Sequence, residues 1–189
     1  MAYPNPSSLT PIVVASTDGP TLAVASAASC IPVASRIALP NNYWTVGKQW
    51  KVMMSGRISC AVTTPGTARF DLRLGSAGTI VAFDTGALNL NVAGKTTVPF
   101  WLKVALHCRS VGTGTGTTLF GVGMFVSEAV VGAAASSAGS NGILVVPLTA
   151  PTVGAGFDNT VSNAVDVFFT QTVATGSLTV HQLSIWEAI

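Results

Sequence analysis

Acid–base chemistry in this chain would have to come from two histidines, His107 and His181, and from seven acidic residues. Each histidine lies in the middle of an alternating segment, and neither has a nearby partner motif of the kind that forms a catalytic site. A glycosidase would need two carboxylates that flank a cleft, and no spacing singles out such a pair. The acids available for it are Asp71, Asp84, Glu128, Asp158 and Asp166. We therefore predict no catalytic residue and no enzymatic activity.

Metal and cofactor ligands are also sparse. Cys30, Cys60 and Cys108 are odd in number and lack CxxC spacing, which predicts free, buried thiols and no zinc site. Asp158 follows a Gly-rich run but lacks the alternating acids of a calcium loop. The Gly-Thr run at residues 112–117 has no lysine after it and opens no helix, so it predicts a flexible hairpin tip. No metal ion and no cofactor is predicted.

Composition limits the classes of partner. Only 8% of the 189 residues are charged, whereas 49% are apolar; ordinary domains carry roughly 25% charged residues. Either small polar residues cover the surface, or much of it is buried against other subunits. The net charge of +2 without a basic cluster predicts no nucleic-acid partner. No apolar run approaches the ~18 residues of a spanning helix, and no signal peptide is evident, so no membrane association is predicted.

The clearest structural pattern runs from Val98 to Glu128. Apolar and more polar residues alternate in its first half, which is typical of a strand with one buried face. That alternation places Leu106 on the core side. In the second half, Met124 shares its parity with the other large apolar residues, so Phe125 is predicted to face outward. The two strands form a hairpin, and residues 165–173 and 178–187 predict a second one.

Eight to ten strands, short turns and no firm helix predict an all-β fold. Long strands joined by irregular loops favour a jelly-roll-like antiparallel β-sandwich at residues 29–189. Residues 1–28 differ, because four prolines there oppose both helix and central strand. We predict an extended Pro-rich N-terminal arm that orders on a neighbouring subunit; the alternative is a disordered tail.

Several predicted strands are apolar on both faces, as where Phe100 adjoins Trp101 and Phe168 adjoins Phe169. A sandwich provides only one inner face per sheet, so the second apolar face needs another cover. A symmetric homo-oligomer, with a trimer as the expected form, would supply that cover. The alternative is that long loops and the N-terminal arm cover it.

Four segments resemble small virion proteins of tailed bacteriophages. They are ASRIALPNNYWTVGKQWKVMMSGRIS, TARFDLRLG, FWLKVALHCRSVGTGTGTTLFGVGMF and the final NAVDVFFTQTVATGSLTVHQLSIWEA, and together they cover roughly residues 34–188. Such proteins decorate or cement capsids, form head fibres or occur in tails, are often trimeric and carry no catalytic site. The resemblance implies a capsid decoration or cement protein, assembled in the host cytoplasm and located in the virion. Its partner would be the major capsid protein or another virion protein.

Two further hypotheses belong to other functional classes. A tail-fibre or receptor-binding head could recognise a cell-surface glycan if Tyr43, Trp44 and Trp101 were exposed, because aromatic rings stack on sugars. A glycan-degrading jelly roll would need two facing carboxylates about 5–9 Å apart in a cleft.

Overall fold

The computed structural model describes residues 9–61, 64–132 and 142–188. In these ranges the chain forms strands joined by turns and loops, with one 3-10 turn at Val33–Ser35. None of the described residues lies in a helix long and apolar enough to span a membrane. The strands are β1 (Leu9–Val14), β2 (Ala28–Ser29), β3 (Ile37–Leu39), β4 (Gln49–Cys60), β5 (Thr67–Leu74), β6 (Ile80–Asp84), β7 (Leu88–Leu90), β8 (Lys95–Ser110), β9 (Thr118–Val126), β10 (Val130–Gly132), β11 (Ile143–Val146), β12 (Asn163–Gln171) and β13 (Ser177–Ala188).

The strands form two packed antiparallel sheets. Sheet A has the order β1-β13-β4-β8-β9-β11, and sheet B has the order β10-β7-β5-β12-β2, with β6 paired to β5 and β3 paired to β12. The chain repeatedly passes from one sheet to the other: β5, β6 and β7 belong to sheet B, and β8 then returns beside β4 in sheet A. The prediction of an all-β, jelly-roll-like antiparallel sandwich is confirmed.

Four phenylalanines link the two sheets at the centre of the core. The ring of Phe70 on β5 lies 5.6 Å from Phe100, 5.5 Å from Phe125 and 5.2 Å from Phe169, measured between centroids. Aromatic rings at such separations contribute packing energy beyond the burial of their area. The alternation predicted for β4, β5 and β8 is confirmed, because within these strands the predicted core parity, including Leu106, is buried apart from the partly exposed Gly56.

The prediction for β9 is wrong, because its two faces are reversed. Phe125 is 0% exposed, whereas Val122 and Met124 point away from the core. The inward position nearest Phe83 is Gly121, where a Cβ atom would lie 2.3 Å from the Phe83 ring. A glycine is therefore needed on the inner face, and large apolar residues remain on the outer one. Counting apolar side chains along this strand thus selects the wrong face.

The second predicted hairpin is also wrong. β12 pairs with β5 in sheet B, whereas β13 pairs with β4 in sheet A. The turn between them therefore carries the chain across the sandwich. The side-chain amide of Gln171 supports this crossing by donating to the Gly176 carbonyl at 3.1 Å.

Residues 9–28 of the predicted arm lie on their own domain. β1 pairs with β13 over most of its length, and Leu22 forms an isolated bridge with Leu178. Further along, Ala28 and Ser29 pair with β12. This part of the segment is extended and covers the edge of its own sheet, while its ordering on a neighbouring subunit stays a prediction. The part of the predicted arm at residues 1–8 lies outside the described residues.

The prediction of free, buried cysteines is confirmed. Cys30, Cys60 and Cys108 are all buried and none forms a disulfide. Burial raises the pKa of the Cys30 thiol strongly, because the thiolate would lose its hydration. These residues act as small apolar core side chains.

Candidate docking surface

The two histidines occupy separate places on sheet A. His107 lies opposite Gln49 and Phe120 on neighbouring strands, on the half-buried outer side of β8. His181 lies in an irregular part of β13, and its Nδ1 atom is 2.9 Å from a carboxylate oxygen of Asp18. The structure does not bring the two imidazoles into one site. The Asp18 contact helps to hold the N-terminal segment against β13.

Two of the acids considered for catalysis do meet. Asp71 and Asp84 lie opposite each other on β5 and β6, and Arg69 forms ion pairs with both. The buried Asp71 accepts hydrogen bonds from Arg69 Nε at 2.8 Å and from Arg73 Nη2 at 3.0 Å. Because both Asp71 oxygens are engaged by guanidinium groups, this carboxylate is held in a structural network.

Asp84 borders a cavity of about 270 Å³ that is also lined by Phe83, Pro147 and Thr149. Burial raises the pKa of the Asp84 carboxyl, and the Gly86 N–H and Arg69 partly oppose that rise. The carboxylate accepts the Gly86 N–H at 2.5 Å. Its partners are therefore the backbone of its own turn and the same arginine that binds Asp71.

Charges on the sheet B side compensate one another. Arg36 Nε lies 3.4 Å from Asp166, which also accepts a hydrogen bond from Ser29 at 2.5 Å. Arg69 and Arg73 form ion pairs with Asp71, and Arg69 also pairs with Asp84. On this side of the protein three arginines therefore neutralise three aspartates. This face presents little uncompensated charge to a partner.

The expectation that Trp44 is exposed and could stack on a sugar is wrong. That ring is 1% exposed and packs against Trp50, with centroids 4.5 Å apart. Tyr43 is half-buried, and its hydroxyl donates to Glu187 at 2.5 Å and accepts from Trp50 Nε1 at 2.9 Å. Burial and the Glu187 hydrogen bond both raise the pKa of Tyr43. Of the three proposed sugar-stacking rings, only Trp101 is exposed, at 41%.

The outer face of sheet A carries four basic side chains that have no acidic partner within the described part of the chain. Lys51 and Arg57 on β4 and Lys103 and Arg109 on β8 have no carboxylate within salt-bridge distance among the described residues. The positions outside those ranges contain no acidic side chain. The other five Lys and Arg residues all pair with acids. Uncompensated positive charge is therefore concentrated on one face.

Acidic side chains are nearly absent from the same sheet. Within its six described strands the single acidic residue is Glu187. Its carboxylate binds Tyr43 and lies 3.0 Å from Lys48 Nζ. The outer face of sheet A therefore has no carboxylate of its own to neutralise its four cations.

Strand register places apolar residues between these cations. Lys51 lies opposite Ala105, which lies opposite Val122, and Met53 lies opposite Lys103. A shallow depression of about 470 Å³ runs over this part of the sheet, and its outward lining residues are Lys51, Met53, Lys103, Ala105, Val122 and Met124. On the outermost strand Val145 is 69% exposed and lies opposite Met124. The surface alternates cationic and apolar groups on adjacent, paired strands.

Two of the cations lie over aromatic rings of the same face. Lys103 Nζ is 3.8 Å from the centroid of Trp101, and the Arg109 guanidinium carbon is 4.7 Å from that of Phe120. Such contacts orient the cation without neutralising it. One face of each ring is therefore already occupied, which reduces the area available for stacking by a sugar or a base.

The outer face of sheet A is slightly smaller than one side of a standard protein interface. Arg57 lies opposite Pro99 and Arg109 lies near the far end of β8, so at about 3.4 Å per residue the cations span roughly 34 Å. Five neighbouring strands at ~4.8 Å spacing give a width of roughly 19 Å, and hence an area near ~650 Å². Stable protein interfaces bury about 800 Å² on each partner.

No group of three or more His, Cys, Asp or Glu residues that could hold a metal ion occurs within residues 9–61, 64–132 and 142–188. Asp158, considered above for calcium, accepts hydrogen bonds from the Thr160 N–H at 2.8 Å and the Thr160 hydroxyl at 2.6 Å. These contacts lower the pKa of the Asp158 carboxyl.

The chain was compared with protein-family models, curated proteins and solved structures, and no match was found in any of the three.

Proposed function

We propose that this chain is a non-enzymatic structural protein of a tailed-phage virion, which decorates or cements the capsid by binding through the outer face of sheet A. One observation carries the proposal: four uncompensated cations and a strip of exposed apolar residues share a single sheet face. An apolar patch with charges around it is typical of a protein interaction site.

Two further observations support this function. The segments that resemble phage virion proteins include β4, β5 and β8, which supply the cations and the sheet B network. The low content of charged residues also fits a protein that is surrounded by others in an assembly. Homo-oligomerisation as a trimer stays a prediction, based on that composition and on the resemblance. A glycan-binding head would have to rely on Trp101, because Trp44 lies in the core.

The location in the particle can be tested by electron microscopy. The chain is fused to a small fluorescent or gold-binding tag in the phage that encodes it, and purified virions are imaged. We expect label on the capsid shell, in copies that repeat with the capsid lattice, because a decoration protein binds repeated sites. Label confined to tail fibres would favour the receptor-binding alternative, and virions without label would contradict the proposed function.

A further inference from the structure

We infer that the partner on the outer face of sheet A is an acidic protein surface and is not a second copy of this chain. The inference rests on the proposed function and deepens it, because it names the chemistry of the partner. The four cations are Lys51, Arg57, Lys103 and Arg109, and no carboxylate in the described residues lies within salt-bridge distance of any of them. The partner must supply the missing negative charge.

A second copy placed face to face does not supply it. In such a symmetric contact, each surface would present four cations and no acid to the other. Like charges that face each other across an interface oppose association. Contact with a different face of another copy is little better, because every acid except Asp158 already has a cation or a histidine within salt-bridge distance.

A nucleic acid also fits this face poorly. Four cations spread over roughly 34 Å are few beside a duplex with one negative charge per ~1.7 Å. Proteins that bind single strands add aromatic rings on which bases stack. Here Lys103 already covers one face of Trp101, and Arg109 covers one face of Phe120.

A protein surface with carboxylates fits both features of the face. Its acidic side chains can pair with the lysine and arginine heads, and its apolar side chains can contact Met53, Val122 and Met124 in the depression between them. Interfaces commonly combine an apolar centre with charge pairs that set orientation. Lys51 and Lys103 border this depression and are the cations expected to contribute most.

The test compares two single substitutions of the same type on the same strand. Lys103→Glu reverses a charge on the outer face, whereas Lys95→Glu reverses one that pairs with Glu128, away from the depression. The wild type and each full-length variant are tested for binding to virions that lack this protein, prepared from a phage whose gene for it has been deleted. Poly-L-glutamate and a mixed-sequence single-stranded DNA are competitors, and sedimentation velocity reports self-association. Circular dichroism verifies folding, and Lys51→Glu replaces Lys103→Glu if the latter does not fold.

We expect Lys103→Glu to weaken virion binding by about 30-fold or more, because it removes a desolvated charge pair. Lys95→Glu should change binding by less than about fivefold. Poly-L-glutamate should compete with virions for the protein, and DNA should not.

Equal binding by the two variants would overturn the inference, as would stronger competition by DNA. A wild-type oligomer that Lys103→Glu dissociates would show that a second copy occupies the face. If the wild type binds poly-L-glutamate but no virion, the proposed function fails and the inference about acidic partners survives.

Discussion

Phe125→Glu is expected to prevent the chain from folding. The Phe125 ring is fully buried between Phe70 and Phe100, at centroid distances of 5.5 Å and 5.9 Å. Losing a buried phenylalanine alone costs about 3–5 kcal/mol, and an unpaired carboxylate in the same place adds a large desolvation cost. Since small domains are stable by only about 5–15 kcal/mol, the combined loss should exceed what the fold can tolerate.

A substitution three residues away provides the control. Val122→Glu introduces the same charge on the outer face of β9, where the side chain is exposed, so its effect on the free energy of unfolding should be about 1 kcal/mol or less. Circular dichroism and urea unfolding of both variants measure the difference. A folded Phe125→Glu variant with near wild-type stability would show that the faces of β9 are wrongly assigned.

Trp44→Ala is expected to lower the free energy of unfolding by about 3–5 kcal/mol. The indole packs against Tyr43, Trp50 and Phe157, with centroids 5.3 Å, 4.5 Å and 6.2 Å away. Asn159 holds the backbone at this position through two hydrogen bonds, each 2.9 Å long, so the emptied space cannot be filled by an easy shift of the chain. Any loss of ligand binding in this variant would follow from instability.

Trp44→Phe should be tolerated much better. The Trp44 indole nitrogen has no hydrogen-bond partner within the described residues, so replacing it with an apolar edge leaves no partner unsatisfied. Chemical denaturation should therefore rank the wild type first, the phenylalanine variant second and the alanine variant last. An alanine variant as stable as the wild type would contradict the core placement of Trp44.

Much of the fold could be predicted because most strands alternate clearly. In β4 and β8 large apolar residues occupy one parity and charged residues the other, so burial and sequence pattern agree. The pattern misleads in β9, where glycine occupies an inward position because the Phe83 ring already fills the space. The sequence pattern also could not show that β12 and β13 belong to different sheets. A short turn can join two strands of one hairpin, and it can equally carry the chain from one sheet to the other.

The sequence predicts the orientation of the residues in the candidate site, but it does not predict that they lie together. Alternation predicts that Lys51, Arg57, Lys103 and Arg109 each point outward. Their meeting on one face depends on β8 lying beside β4, with three strands of sheet B between them in the chain. The sequence also shows few acids, but ion pairing within the fold determines which cations remain uncompensated. Long-range strand order and local pairing therefore define the surface.

Lysine acetylation of intact virions, read by mass spectrometry, tests the docking surface most directly. The isolated chain and the chain within the virion are labelled under the same conditions, and Lys95 is the internal reference because it lies outside the depression. We predict that Lys51 and Lys103 are labelled in the isolated chain and protected in the virion, while labelling of Lys95 is unchanged. Equal labelling of Lys51 and Lys103 in both states would contradict binding through the outer face of sheet A.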